Sequence, residues 1–450
     1  YSGQAPGISF VSVPIYTISK PIFHILPQET IDFAFSKLES YGNTLPVDYW
    51  GKKKILSSYF TGLSKRQILE YVFISGFILP VFTTFLISAL SAILVYMLLK
   101  RFTKNEKLRL LITLFYAFGT IIFPLSTQFL EREIAVALTF AAFFMLFRMK
   151  HNELKLKGSI LFWSGMLAGL SAWFDYFHLF LSGFLLLYLL SFPTTSKKGI
   201  GGLWVFNLNK SRILLLLKFG IGIIIPTLLL FAYFYAIFDD PFATSYTHRI
   251  VETSNHKISD IVNIKLPPIA DMYPILLFFI NNLVILVAFY GLYMALLKKD
   301  AYYHEALYAL AFITFISIYS LAIAFTYPSV LVQFQRHMTP MFPYAILFLS
   351  YALMGNKKEN RMKAVFVIIG FLSIFINWMN AQFDLDHFDF ESKKLVMLPY
   401  FLKNGPASSF LDTLAWVFSL NPLLLNLAGL VFLVAVIYII WRPYLRSQVH

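Results

Sequence analysis

An all-α polytopic membrane protein is the fold class this sequence predicts, on three observations. The 450-residue chain is 58% hydrophobic and 13% charged, where soluble domains average about 45–50% apolar and about 25% charged. Apolar runs near the ~20 residues that cross a bilayer recur along it. The cations cluster between those runs, on one side. Repeated spans make one polytopic domain, rather than the two or three soluble domains that length alone would allow.

The runs fall near 68–99, 108–125, 131–149, 159–174, 176–192, 213–238, 273–297, 304–327, 338–354, 362–378 and 421–441, which predicts about eleven transmembrane helices. As a single helix, 159–192 would measure about 51 Å, too long for a ~30 Å hydrocarbon core. Two short helices with Asp175 at the tip fit better. The segment 8–26 is interrupted by Pro14 and Pro21, which predicts short helices on the outer surface instead of a crossing.

Charge tests that count. Basic clusters at 100–109, 148–157, 197–212, 298–299, 357–363 and 442–446 all land on one side if 159–192 is split, and the positive-inside rule makes that side cytoplasmic. The formal charge of +14 is therefore a topology signal, and no nucleic-acid partner is expected. The opposite face collects most of the acids and long loops, and long loops commonly carry function. The chain divides into an extracytoplasmic juxtamembrane segment 1–66, a multi-span region 67–378 with an outer loop at 239–272, an extracytoplasmic loop 379–420, and a last helix with cytoplasmic tail at 421–450. The expected location is the cell membrane, with the functional loops extracytoplasmic. With no cysteine, disulfides, thiolate metal sites and Cys nucleophiles are excluded.

No Walker loop, dinucleotide glycine fingerprint, HExxH or GxSxG occurs. What remains are local groupings. In "QFLEREIAV", Glu131 and Glu133 enter a helix from the outer side. They either favour the positive helix end or face a site as base or metal ligand. In "AWFDYFHLF", Asp175 sits among apolar residues, either forming the turn or doing chemistry. "DLDHFDFESKK" reads as a solvated acidic loop lacking the glycine and spacing of an EF-hand. In "IFDDPFATSYTHRI", Tyr246, His248 and Arg249 either anchor the interface or hold a phosphate headgroup. In "LVQFQRHMTPMFPY", Arg336 and His337 stand on the cation-poor side, at a helix start set by Pro340 and Pro343. An Arg there needs an anion: a lipid phosphate, or an outer-loop acid such as Asp240.

Four stretches, in order, resemble GT-C-fold membrane glycosyltransferases similar to the protein mannosyltransferase, dolichyl-phosphate-sugar-dependent family. "YSGQAPGISFVSVPIY" resembles its K-A-P-G segment followed by an apolar run and P-hydrophobic-Y. "GMLAGLSAWFDY" is similar to a Gly-rich helix ending in an acidic–aromatic pair. "YAIFDDPFATSY" is similar to N-x-x-F-G-x-P-F-x-x-x-Y, and "FQRHMTPMFPYAILFL" to R-Y-x-x-P-x-x-P-F. The resemblance implies transfer of a sugar from a polyprenyl-phosphate donor to an acceptor on the extracytoplasmic face. It implies a preceding helix bearing the main catalytic Asp, upstream of Tyr1, so a further N-terminal helix or a partner subunit is expected. Gln4 stands where the family often has Lys, which weakens a phosphate contact there. Glu131 or Glu133 is then the best carboxylate, and Arg336, His337 and Arg249 the phosphate partners. A divalent metal ion as cofactor stays open, as do a lipid or solute transporter or flippase and a non-catalytic member of the fold.

Overall fold

The computed structural model describes residues 5–44, 62–192, 210–242, 273–324, 336–354 and 360–381, with isolated residues between 421 and 435. Every regular element among them is a helix, as apolar runs in hydrocarbon require: a helix satisfies its own backbone groups and an open strand does not. Five of the described helices are long and apolar enough to cross a membrane: Gly7–Ile25, Lys65–Phe102, Ile213–Phe238, Tyr303–Leu321 and Arg361–Asn380. These make a multi-pass membrane protein. Most of 379–420, 239–272 and 421–450 lies outside the described residues.

The helices are α1 (Gly7–Ile25), α2 (Gln28–Thr44), α3 (Lys65–Phe102), α4 (Glu106–Phe118), α5 (Arg132–Lys150), α6 (Gly158–Ser171), α7 (His178–Leu190), α8 (Lys210–Phe238), α9 (Tyr273–Asn281), α10 (Leu283–Lys298), α11 (Tyr303–Ala324), α12 (Phe342–Leu347), α13 (Leu349–Leu353) and α14 (Asn360–Asn380). The stretch 159–192 is two helices, α6 and α7, folded back on each other, with the Ser182 hydroxyl donating to the Ala168 carbonyl at 2.9 Å. Helix α5 packs against α3, α6 and α7. Its Phe140, Phe143 and Phe147 are fully buried at helical spacing, and Phe143 stacks on Tyr308 of α11. Helix α6 meets α8 backbone to backbone. A Cβ on Gly222 would lie 2.2 Å from the Phe162 carbonyl oxygen, and one on Gly165 2.1 Å from that of Phe219. Small residues let membrane helices approach this closely and pack by dispersion.

Three runs that read as continuous spans are broken. The 108–125 run breaks after Phe118 and resumes as a short helix, Ile122–Ser126, and 273–297 breaks at Asn282. The 338–354 run divides into a 3₁₀ turn, α12 and α13. Breaks expose backbone groups that hydrocarbon cannot satisfy, and at the first two, side chains meet some of them. Asn282 Oδ1 accepts from the Ile121 N–H at 2.7 Å. From α14, Ser373 donates to the Gly119 carbonyl at 2.7 Å, and Asn377 donates to the Asn281 carbonyl at 2.7 Å.

Contrary to expectation, Pro14 and Pro21 do not break 8–26: α1 runs unbroken through both. Its packing outweighs the lost backbone bonds. Phe23 is buried with Ile74 and Leu79, Tyr16 donates to Glu70 at 2.5 Å, and Arg66 donates to the His24 and Leu26 carbonyls, both at 3.1 Å. Helix α3 would be about 57 Å long at 1.5 Å per residue, nearly twice a ~30 Å core. α1 lies along its first half.

At the Lys150 end of the bundle, ion pairs tie the elements. Glu305 Oε1 takes Lys150 Nζ at 2.9 Å and His151 Nε2 at 3.0 Å. Glu153 pairs with Arg101 and, at 2.8 Å, with Arg148. Burial alone would raise the Glu153 carboxyl, but hydrogen bonds from the two guanidiniums hold it below the usual carboxylate range.

The α6–α8 contact sets a prediction. Gly222→Leu should separate these helices and lower the melting temperature in detergent by several degrees. Gly183→Ala, whose added Cβ meets nothing within 4 Å, should leave it unchanged or raise it, by an order of ~1 kcal/mol at most.

Candidate functional site

At the other end of the bundle, α5 begins at Glu131, with Arg132 and Glu133 in its first turn. Thr84, in a π-helical turn of α3 that follows Pro80, faces this start, its hydroxyl 3.4 Å from the Leu130 carbonyl. The hairpin tip 172–177 closes the other side. There the Asp175 carboxylate divides its work. Oδ1 accepts the Phe177 N–H at 3.1 Å, forming the turn, and Oδ2 lies 3.2 Å from Arg132 Nε. Asp175 therefore forms the turn, as one of its two readings had it, and also pairs a largely buried cation.

Arg132 reaches a third element. Its Nη2 lies 3.3 Å from His337 Nε2. A guanidinium only donates, so Nε2 accepts and the His337 proton sits on Nδ1. His337 precedes the 338–354 segment. Burial, and then the charge of Arg132, hold its imidazole well below its ordinary range, so the ring is neutral at physiological pH. Arg336 acts electrostatically on Glu131, Glu133 and His337. At the turn after α8, Asp240 Oδ1 accepts from the Phe242 N–H at 2.9 Å.

The two glutamates do not cap α5: no side-chain hydrogen bond closes the helix start. Glu131 and Glu133 are 6% and 3% exposed. Glu131 Oε2, Glu133 Oε1 and His337 Nδ1 are buried without a hydrogen-bond partner among the described residues. Such groups cost about 1–3 kcal/mol each, more when charged. Both carboxylates lie within electrostatic reach of the Arg132 and Arg336 guanidiniums.

A second buried pair lies one step deeper. Thr139 Oγ1 donates to the Ala135 carbonyl at 3.0 Å and lies 2.7 Å from His178 Nδ1. Asp175 and Arg132 act electrostatically on this ring.

The structure thus gathers Glu131, Glu133, Asp175, Arg336 and His337. Gln4, Tyr246, His248 and Arg249 lie outside the described residues. Sequence reasoning missed Arg132, His178 and Thr139. The signal for Arg132 was present: a cation between two acids on the cation-poor side, the same argument that singled out Arg336. His178 stands three residues after Asp175 in the same apolar stretch, where a lone His reads as core. The opening turn also arrives here. Gly7 N–H donates to the Trp173 carbonyl at 2.7 Å, and a Cβ on Gly7 would lie 2.6 Å from that oxygen. Only glycine seats the chain against the tip. Among the described residues no group of three or more His, Asp or Glu is placed to hold a metal ion.

No protein-family model, curated protein or solved structure matches the chain.

The Arg132–Asp175 pair should couple strongly. Removing either partner of a buried pair costs about 3–5 kcal/mol. Asp175→Asn and Arg132→Met should each lower thermal stability, with the double variant less destabilised than the sum. Additive losses in a thermal-unfolding cycle would show that the two side chains do not interact.

Proposed function

We propose that this chain is a GT-C-like membrane glycosyltransferase of about eleven spans, moving a sugar from a polyprenyl-phosphate donor to an acceptor at the extracytoplasmic end of the bundle. The observation that carries this reading is the convergence of Glu131, Arg132, Asp175, Arg336 and His337 at one end, with carboxylate oxygens buried and unpartnered beside two guanidiniums. That pairing is what transfer from a lipid phosphate needs: a base for the acceptor and cations for the leaving group. The scarcity of cations in the loops at this end supports reading it as the outer one.

In the reaction, the acceptor hydroxyl oxygen bonds to the anomeric carbon as the bond from that carbon to the phosphate oxygen breaks. The acceptor proton passes to a carboxylate, and the polyprenyl phosphate leaves with the bonding pair. Glu131 is the base we assign: it shares the Arg132 and Arg336 charges with Glu133 but, unlike Glu133, also lies near Asp175 at the tip. Glu133 lies nearer the core and acts electrostatically on Tyr116. Arg336 stands just ahead of the 3₁₀ turn Thr339–Met341. Its planar fork suits a phosphate. Arg132 is braced by Asp175 and His337, so it supplies a fixed charge instead of a moving one.

Glu131→Gln should cut transfer by about a hundredfold or more, the low end of general-base effects, while donor binding persists. Equal activity would remove Glu131 from the chemistry. For Arg336, donor affinity should fall steeply in Arg336→Ala and partly in Arg336→Lys. An unchanged affinity in Arg336→Ala would end its phosphate role. Lipid or solute movement in vesicles without any sugar transfer would favour a flippase or transporter instead.

A further inference from the structure

At the Lys150 end of the bundle, the seam between α6 and α8 closes on a group of lysines. Lys218 lies inside the apolar span Ile213–Phe238, about 8 Å past its start at 1.5 Å per residue. A lysine so placed lays its stem along apolar surface and brings its ammonium to a polar place. Gly158, the first residue of α6, makes room for it: a Cβ there would lie 2.5 Å from Lys218 Nζ and 2.7 Å from its Cδ. A larger residue at 158 would displace the ammonium from the seam. Lys157 immediately precedes this glycine. Its N–H donates to the Lys155 carbonyl at 2.8 Å, a tight turn that brings a third lysine alongside.

These charges have no acid to meet. Among the described residues, Lys155, Lys157 and Lys218 form no ion pair. Glu153, the acid of the same loop, is taken by Arg101 and Arg148. The start of α6 carries no side-chain cap, so its dipole adds to the positive potential that the lysines create. Beside them the surface is apolar, with Leu214, Leu217 and Ile221 of α8 and Trp163 of α6 all exposed. Uncompensated cations bordered by exposed apolar side chains, at the end of a span, fit a molecule with an anionic head and apolar tails. Basic pockets between membrane helices bind such headgroups.

We propose that this seam is a binding site for an anionic phospholipid, its phosphate between Lys157 and Lys218 and its acyl chains along Leu214, Leu217 and Trp163. The site lies at the opposite end from the Arg132 cluster and does not depend on the reaction assigned there.

Trp163 gives a local readout. The full chain is reconstituted in phosphatidylcholine vesicles containing a minor fraction of phosphatidylglycerol brominated on its acyl chains. Quenching of Trp163 is taken as the difference from the Trp163→Phe variant, relative to that by the same fraction of brominated phosphatidylcholine. The anionic lipid should quench more strongly. Lys218→Gln should lower this enrichment about fivefold, the factor expected of one lysine at an anionic surface. Gly158→Leu keeps every charge but displaces the ammonium, and should lower the enrichment as Lys218→Gln does. Lys299→Gln removes a charge from the same end outside the seam, and should leave it unchanged. Equal quenching by the two brominated lipids would overturn the proposal. So would full enrichment in Gly158→Leu, because general surface charge would then be what attracts the lipid.

Discussion

The structure turns on one largely buried cation. Arg132 lies where α5 begins, 3.2 Å from Asp175 of the hairpin tip and 3.3 Å from His337 ahead of the broken α12–α13 segment. A guanidinium taken out of water costs several kcal/mol unless its donors are met. Three elements far apart in sequence must therefore arrive together. The hairpin tip must turn at Asp175, which it does by spending its other oxygen on the Phe177 N–H. The first residues must pack against the tip, which glycine at position 7 allows. Arg132 thus fixes the geometry of the end at which Glu131 and Glu133 are held.

The opposite end uses the same logic with the charges exchanged. There a buried carboxylate, Glu305, is the hub, and Lys150, His151 and Tyr188 converge on one of its oxygens. Helix α5 runs between the two hubs, with Arg132 in its first turn and Lys150 in its last. Its apolar middle, Phe140 to Phe147, is held by aromatic contacts with Tyr308 and Tyr344. A helix whose two ends are pinned by buried charge and whose centre is close-packed cannot slide or rotate freely. That rigidity is what a site needs when its acids and cations must keep fixed distances.

Between the hubs the bundle tolerates interruptions that an isolated helix in lipid could not. The breaks near Gly119 and Asn282 share partners, with Ser373 and Asn377 of α14 completing them. These polar residues serve the backbone, which is why polarity within a span is a weaker guide to function than polarity at its end.

Composition and apolar run length determined the class of this protein, because only helices or closed barrels satisfy their backbone in hydrocarbon. The division of 159–192 at Asp175 was also legible, since one helix of that length would overrun the bilayer. Glu131, Glu133, Asp175, Arg336 and His337 could be singled out one by one, as charges in apolar surroundings are costly and must have a reason. Local pattern did not show that they belong together, nor that Arg132 between the two glutamates is the group that joins them. That depends on residues separated by 43 and 205 positions, which no helical period relates. The unbroken course of α1 through Pro14 and Pro21, and the breaks in three apolar runs, were decided in the same way. Proline and apolarity set local preferences of a few kcal/mol, and packing against Ile74, Leu79, Ser373 and Asn377 outweighs them. Identity of the elements lies in the sequence; the meeting of their charges exists only in the folded bundle.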